Sequence, residues 1–138
     1  MTVQFYKRFW VEEAEWGSSP GIMEDILSSW KWNDFFVELV SDSYVFDLEH
    51  SYEDIPCTGD VSEIQNKEFI YKNNGIVAEG DDILWEGISE PFRYLVTYMK
   101  SWDDSNLIAC LIDLGETKTD STFTLEWENG AVFTFGGD

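Results

Sequence analysis

The stretch that decides the fold is SEPFRYLVTYMKSW at residues 89–102, followed after four residues by LIACLIDL at residues 107–114. In the first segment, apolar residues recur at the three- and four-residue steps of an α-helix, namely Phe92, Leu95, Val96, Met99 and Trp102. Residues 107–112 carry no strongly polar side chain and do not alternate, which is typical of a strand covered on both faces. The two segments therefore predict a helix packed against the central strand of a sheet.

The remaining apolar spacing predicts strands, hairpins and one further helix. Alternation between Val3 and Val11 indicates an opening strand, and Ser19 followed by Pro20 indicates the start of a short helix that ends near Trp30. Three hairpins are predicted, pairing residues 35–39 with 44–48, 69–71 with 76–78, and 123–127 with 131–135. Residues 50–66 are predicted to be a surface loop with one helical turn, and residues 83–85 a further strand.

Together these elements predict an α+β protein. We expect residues 1–138 to form a single globular domain, with a largely antiparallel, twisted sheet of about six to eight strands and two helices packed on it. The hydrophobic share of 43% is enough for a core at this length. No apolar run approaches membrane-spanning length and the first residues show no cleavable signal, so a cytoplasmic protein is expected.

The charge is the property that bears most directly on function. The chain has 28 acidic and 8 basic side chains, a formal net charge of −20. Nine acids and no Lys or Arg lie between Lys31 and Lys67, and five more acids lie unopposed between Asn73 and Phe92. Because like charges repel, neither nucleic acid nor an anionic membrane is expected to be a direct partner, whereas a cationic protein is.

Signals for catalysis are weak. The single histidine, His50, lies among carboxylates that could make it a general base or a metal ligand, but no second imidazole or nucleophile motif accompanies it, which favours an ordinary loop histidine. The pairs Asp81–Asp82 and Asp103–Asp104 could suggest a glycosidase, but adjacent side chains do not flank one bond at a defined separation. Calcium-loop and phosphate-binding motifs are absent, so we predict no enzyme, no metal and no cofactor.

The predicted partner-binding surface combines acids with an aromatic side chain. It consists of Asp47, Glu49, Tyr52, Glu53, Asp54, Asp81, Asp82, Glu86, Asp103 and Asp104. Tyr52 is expected to be exposed as an interface hot spot, whereas core packing is favoured for Trp85 and Trp102.

In its strong acidity, its many aromatic residues and its lack of catalytic motifs, the chain resembles the small acidic immunity proteins of bacterial toxin systems, including contact-dependent inhibition. The resemblance implies a protein that neutralises a cognate cationic toxin, commonly a nuclease, by covering its active site or substrate groove. Two alternatives stay open, a DNA-mimic or anti-restriction inhibitor with acids in a row, and a small hydrolase or ligand-binding protein with a pocket near His50. The oligomeric state is open, with a monomer slightly favoured.

Overall fold

The computed structural model describes residues 2–6, 30, 33–72, 75–100, 105–127 and 131–136, and most of these form β-strands. The strands are β1 Thr2–Phe5, β2 Phe35–Val40, β3 Cys57–Glu63, β4 Glu68–Lys72, β5 Gly75–Glu79, β6 Ile83–Glu86, β7 Phe92–Lys100, β8 Asn106–Lys118, β9 Thr122–Leu125 and β10 Ala131–Gly136. Helical structure in these residues consists of Trp30 and one 3-10 turn, Tyr52–Asp54. The part of the protein that the structure describes is therefore mostly β.

The predicted central helix is wrong, because its residues form β7. This strand lies in the middle of a five-stranded antiparallel sheet with the order β1-β8-β7-β2-β3. Leu95 and Met99 contribute to one hydrophobic core, whereas Val96 and Tyr98 contribute to a second. A strand buried on both faces is apolar nearly throughout, so helical spacing arises in it by coincidence, while its content of aromatic and β-branched residues favours a strand.

The predicted α+β architecture with two packed helices is thereby contradicted. No helix of seven or more residues is present in the described part of the chain. The other predicted helix lies outside the described residues except for Trp30, which is helical and buried. Likewise, no described helix has the length and apolar character needed to cross a membrane.

The five-stranded sheet has a core on each face. On one face, the first core joins the sheet to two smaller sheets with the orders β10-β5-β4 and β6-β9, through residues such as Ala78, Trp85 and Leu125. On the other face, the second core lies beneath residues 41–56, which connect β2 to β3 and contribute Tyr44 and Ile55 to it. We call residues 41–56 the acidic loop.

The strand predicted at residues 107–112 is confirmed as β8, an inner strand next to the middle of the sheet. Residues 108–112 are all buried, and β8 pairs with both β1 and β7. Thr97 pairs with Cys110 and Tyr98 with Ile108, so Ala109 is an extra residue that forms a bulge. The strand also continues beyond the apolar run, to Lys118.

Of the three predicted hairpins, one is confirmed. Residues 69–71 pair with residues 76–78 in β4 and β5. The other two are wrong: β2 pairs with β7 and β3, while β9 pairs with β6 and β10 with β5. Alternating apolar residues indicate which face of a strand is buried but not which strand is its neighbour.

Shorter elements fit the predictions in part. The strand at 83–85 is confirmed, and the opening strand is confirmed for residues 3–5, while residues 7–11 lie outside the described residues. Residues 50–66 contain the predicted helical turn and an unpredicted edge strand, β3. Because an edge strand is covered less than a central one, β3 carries mostly polar residues and lacked the apolar signal of a strand.

Candidate functional site

The acidic loop is a closed surface loop with defined backbone hydrogen bonds. At its base, the amide of Ser41 donates to the carbonyl of Pro56 at 2.9 Å, which ties the two ends of the loop together. Within the loop, the amide of Tyr44 donates to the carbonyl of Ser41. The amide of His50 donates to the carbonyl of Asp47. Loops of this size with adjacent ends are frequently functional.

Two of the predicted partner-binding acids also stabilise the loop backbone. Oδ1 of Asp47 accepts a hydrogen bond from the amide of Glu49 at 2.9 Å. Oδ2 of Asp54 accepts hydrogen bonds from both the amide and the hydroxyl of Ser51, at 2.9 and 3.1 Å. Short acidic side chains commonly bond nearby amides in turns, and here they hold the turns in one conformation.

Beneath the loop, a chain of three polar side chains connects it to the sheet. The hydroxyl of Tyr44 lies 2.8 Å from that of Tyr6 and 2.8 Å from Nδ1 of His50. Burial raises the pKa of both tyrosines, so their hydroxyls stay protonated and serve as hydrogen-bonding groups. His50 is thus part of the attachment of the loop to the second core.

A second buried contact involves Glu38, in the middle of β2 and only 5% exposed. Its Oε1 accepts a 2.7 Å hydrogen bond from the hydroxyl of Tyr52, whose ring lies 5.0 Å from that of Tyr98. Burial, with a further contribution from the charge of Glu38, raises the pKa of Tyr98 and of the Cys57 thiol to about 12. Tyr52, which the sequence placed on the partner surface, is therefore half-buried and fixes the 3-10 turn to the sheet.

The outward side of the loop combines apolar and acidic side chains. Val45 is 78% exposed, the largest value among the exposed large hydrophobic side chains that the structure describes, and Leu48 is 47% exposed. The exposed acids of the loop are Asp42, Asp47, Glu49, Glu53 and Asp54. An open cavity of about 490 Å³ lies on the same loop beside Val45.

The predicted acids at and next to β6 lie elsewhere. Asp81, Asp82 and Glu86 are exposed, but β6 packs in the first core, on the opposite face of the five-stranded sheet from the acidic loop. Oδ1 of Asp82 accepts a hydrogen bond from the amide of Trp127 at 3.1 Å, so this carboxylate supports the local fold. Asp103 and Asp104 lie outside the described residues. The predicted surface is thus divided, and one part of it is the acidic loop.

Sequence reasoning missed several residues that define this loop. Val45 and Leu48 were assigned to a hairpin, although alternation with acids also fits an exposed loop. Glu38 carried a usable signal, a single acid within the apolar run FFVELV, because a charge in a central strand needs a hydrogen-bonding partner. The predicted core position of Trp85 is confirmed.

Metal binding has no support in the geometry of the described residues, where no three His, Cys, Asp or Glu side chains are grouped to hold an ion. No protein-family model, curated protein sequence or solved structure is significantly similar to this chain.

Proposed function

We propose that this protein is a non-catalytic inhibitor of the immunity-protein kind, which acts in the cytoplasm and binds a cationic toxin protein through the acidic loop. A nuclease domain is the expected partner, because its substrate groove must be positively charged. The observation that supports this proposal is the exposure of Val45 and Leu48 among carboxylates on a loop that is itself firmly attached.

The exposed apolar side chains supply the affinity. Protein interfaces obtain most of their binding energy from a few desolvated side chains surrounded by a polar rim. Burying the exposed parts of Val45 and Leu48 against a partner would contribute about 1 to 2 kcal/mol each. The surrounding acids would form the rim.

The attachment of the loop keeps the cost of binding low. Ordering a mobile loop on binding costs about 0.5 to 1.5 kcal/mol for each immobilised side chain. In the acidic loop, the hydrogen bond between Ser41 and Pro56 and the hydrogen-bonded hydroxyls of Tyr44 and Tyr52 already set the conformation. The partner would therefore meet a preformed surface.

The net charge of −20 acts on the rate of association. A field of this kind raises the association rate with an oppositely charged protein by roughly 10- to 1000-fold, and the gain falls steeply with ionic strength. A DNA mimic would instead need acids in a row along one face. The division of the predicted acids between the acidic loop and β6 favours a local patch on the loop.

The test is a binding measurement with a cationic nuclease domain encoded in a neighbouring reading frame, where we expect the toxin to lie. We expect tight binding at low salt and a slower association rate as salt increases. Val45→Asp should weaken binding by about 30-fold or more, as expected for loss of a hot spot. The matched control is Leu84→Asp on β6, which changes another exposed aliphatic side chain, 54% exposed, on the other side of the sheet.

Two results would contradict the proposal. One is the absence of binding by the unchanged protein at low salt, where electrostatic attraction is strongest. The other is an equal loss of affinity in Val45→Asp and Leu84→Asp, since that would show that the acidic loop has no special part in the interface.

A further inference from the structure

The cavity on the acidic loop has walls of two chemical kinds. Its volume is about 490 Å³, and its walls include Tyr44, Val45, His50, Glu53, Ile55 and Pro56. The aliphatic part is provided by Val45, Ile55 and Pro56, which lie on both sides of the 3-10 turn. This part suits the methylene stem of a long side chain.

The polar part of the cavity is aromatic and anionic. The rings of Tyr44 and His50 lie with their centroids 5.5 Å apart and their planes tilted by 45°. Glu53 is exposed at the 3-10 turn, and no hydrogen bond or ion pair to its carboxylate is found within the part of the chain that the structure describes. Because Tyr44 is only 5% exposed, a cation held here would lie beside the half-buried ring of His50. It would also lie near the carboxylates of Glu53 and Asp54, of which that of Asp54 already accepts hydrogen bonds from Ser51.

We propose that this cavity receives an arginine side chain of the cationic partner, an inference that rests on the proposed function. Arginine combines an apolar stem with a planar guanidinium that stacks on aromatic rings and bonds a carboxylate through two N–H groups. Lysine shares the stem and charge but not the planar group, so it fits the same cavity less well. The partner arginine is held at Glu53 and packs on Val45.

The open form of the cavity explains why the occupant belongs to a protein. A site for a free small molecule usually encloses most of the surface of its ligand. This cavity lies on the outside of a loop, next to the exposed side chain of Val45. A side chain that arrives on a larger surface is held in place by the contacts around it as well.

The experiment uses the intact ¹⁵N-labelled protein and three small probes, followed by chemical-shift changes in NMR spectra. The probes are the N-acetyl amides of arginine, of lysine and of citrulline, which is the neutral analogue of arginine. Given the few atoms involved, we expect saturable binding of the arginine probe with a Kd of about 1 to 10 mM, with shifts concentrated in the acidic loop. Lysine should bind more weakly, and citrulline should leave the spectrum unchanged.

Glu53→Gln tests the residue that the proposal singles out. Because the exposed carboxylate of Glu53 would form a partly solvated ion pair, we expect this variant to raise the Kd of the arginine probe roughly two- to fivefold. Glu68→Gln is the matched control, since it removes the same charge from an exposed site on β4, away from the acidic loop, and its Kd should equal that of the unchanged protein.

Three results would overturn the arginine site. The chemical-shift changes could be equally large for citrulline, or they could spread evenly over the acidic loop and β6. The third is a Kd of the arginine probe that Glu53→Gln leaves unchanged. The titration contains no toxin, so the two proposals fail separately. If the protein binds the toxin but the titration shows no binding of the arginine probe, only the proposal about the cavity is contradicted. A positive titration without toxin binding would contradict the inhibitor function and leave the cavity as a site for cationic side chains.

Discussion

Removal of the Tyr52 hydroxyl is the most direct test of how the acidic loop is held on the sheet. In Tyr52→Phe, Oε1 of Glu38 loses the hydroxyl that donates to it at 2.7 Å, while the ring contact with Tyr98 is kept. Glu38 is only 5% exposed, so water has little access to take the place of the hydroxyl. The buried carboxylate would lose its closest donor and, within the described part of the chain, keep only the contacts of the Tyr98 hydroxyl and the Cys57 thiol.

The size of the effect follows from this burial. A hydrogen bond to a charged group contributes about 1.5 to 3 kcal/mol, and the loss is in the upper part of that range where water cannot replace the lost donor. We expect Tyr52→Phe to lower the free energy of unfolding by about 2 to 3 kcal/mol, which raises the unfolding constant roughly 30- to 150-fold. This is a large share of the roughly 5 to 15 kcal/mol that stabilises a typical domain.

The assay is urea unfolding followed by tryptophan fluorescence, with the slope of free energy against urea compared between variants. Tyr94→Phe is the matched control, because Tyr94 packs against the same core and its hydroxyl has no hydrogen bond among the described residues. We expect this control to change the free energy of unfolding by less than about 0.5 kcal/mol.

A double-mutant cycle identifies the partner of the hydroxyl. In Glu38→Gln the acceptor remains but its charge is lost, so Tyr52→Phe should cost only about 1 kcal/mol in that background. The reasoning is refuted if Tyr52→Phe behaves like Tyr94→Phe. It is also refuted if the hydroxyl contributes equally with and without the charge of Glu38.

Three further predictions concern stability. Because burial raises the pKa of Tyr98 and Cys57 to about 12, the folded protein keeps protons that the unfolded chain releases at about pH 9 to 10. Stability should therefore be complete below about pH 9 and fall toward pH 12, and urea unfolding that is unchanged at about pH 11 would contradict this. Gly80→Ala places a Cβ 2.5 Å from Cγ2 of buried Ile64, and thermal unfolding should show a loss of about 1 to 3 kcal/mol, whereas no loss would mean that this contact relaxes freely. Leu95→Ala in β7 should cost about 2 to 5 kcal/mol in urea unfolding, and a cost below about 1 kcal/mol would be inconsistent with a buried central strand.

Local signals in the sequence predicted local structure. The hairpin of β4 and β5 was found because its two strands adjoin one short turn, and β8 was found because residues 107–112 are apolar without interruption. By contrast, β7 was mistaken for a helix, since burial on both faces removes the period of two that marks most strands. The wrong hairpins had plausible registers, but their strands pair with partners far away in the sequence.

The candidate site was likewise predicted only in part, because local signals in the sequence do not reveal which distant strands pair. Charge and loop composition drew attention to residues 47–54, which do lie together on the acidic loop. Exposure of Val45 depends on the absence of strand pairing at residues 44–48, and the buried position of Glu38 depends on β7 and β3 lying on either side of β2. Neither property can be predicted from the residues next to Val45 or Glu38 in the sequence.

By itself, the sequence determined the net charge of −20, the supply of apolar side chains for two cores, and the position of β8 inside the sheet, away from its edges. These depend on the composition of short segments, and composition does not change when the chain folds. Only the tertiary structure decided which strands are neighbours, and hence that Asp81, Asp82 and Glu86 lie on the opposite face of the sheet from the acidic loop. Strand pairing is a competition among distant segments for burial on both faces of one sheet, and its outcome depends on the whole chain at once.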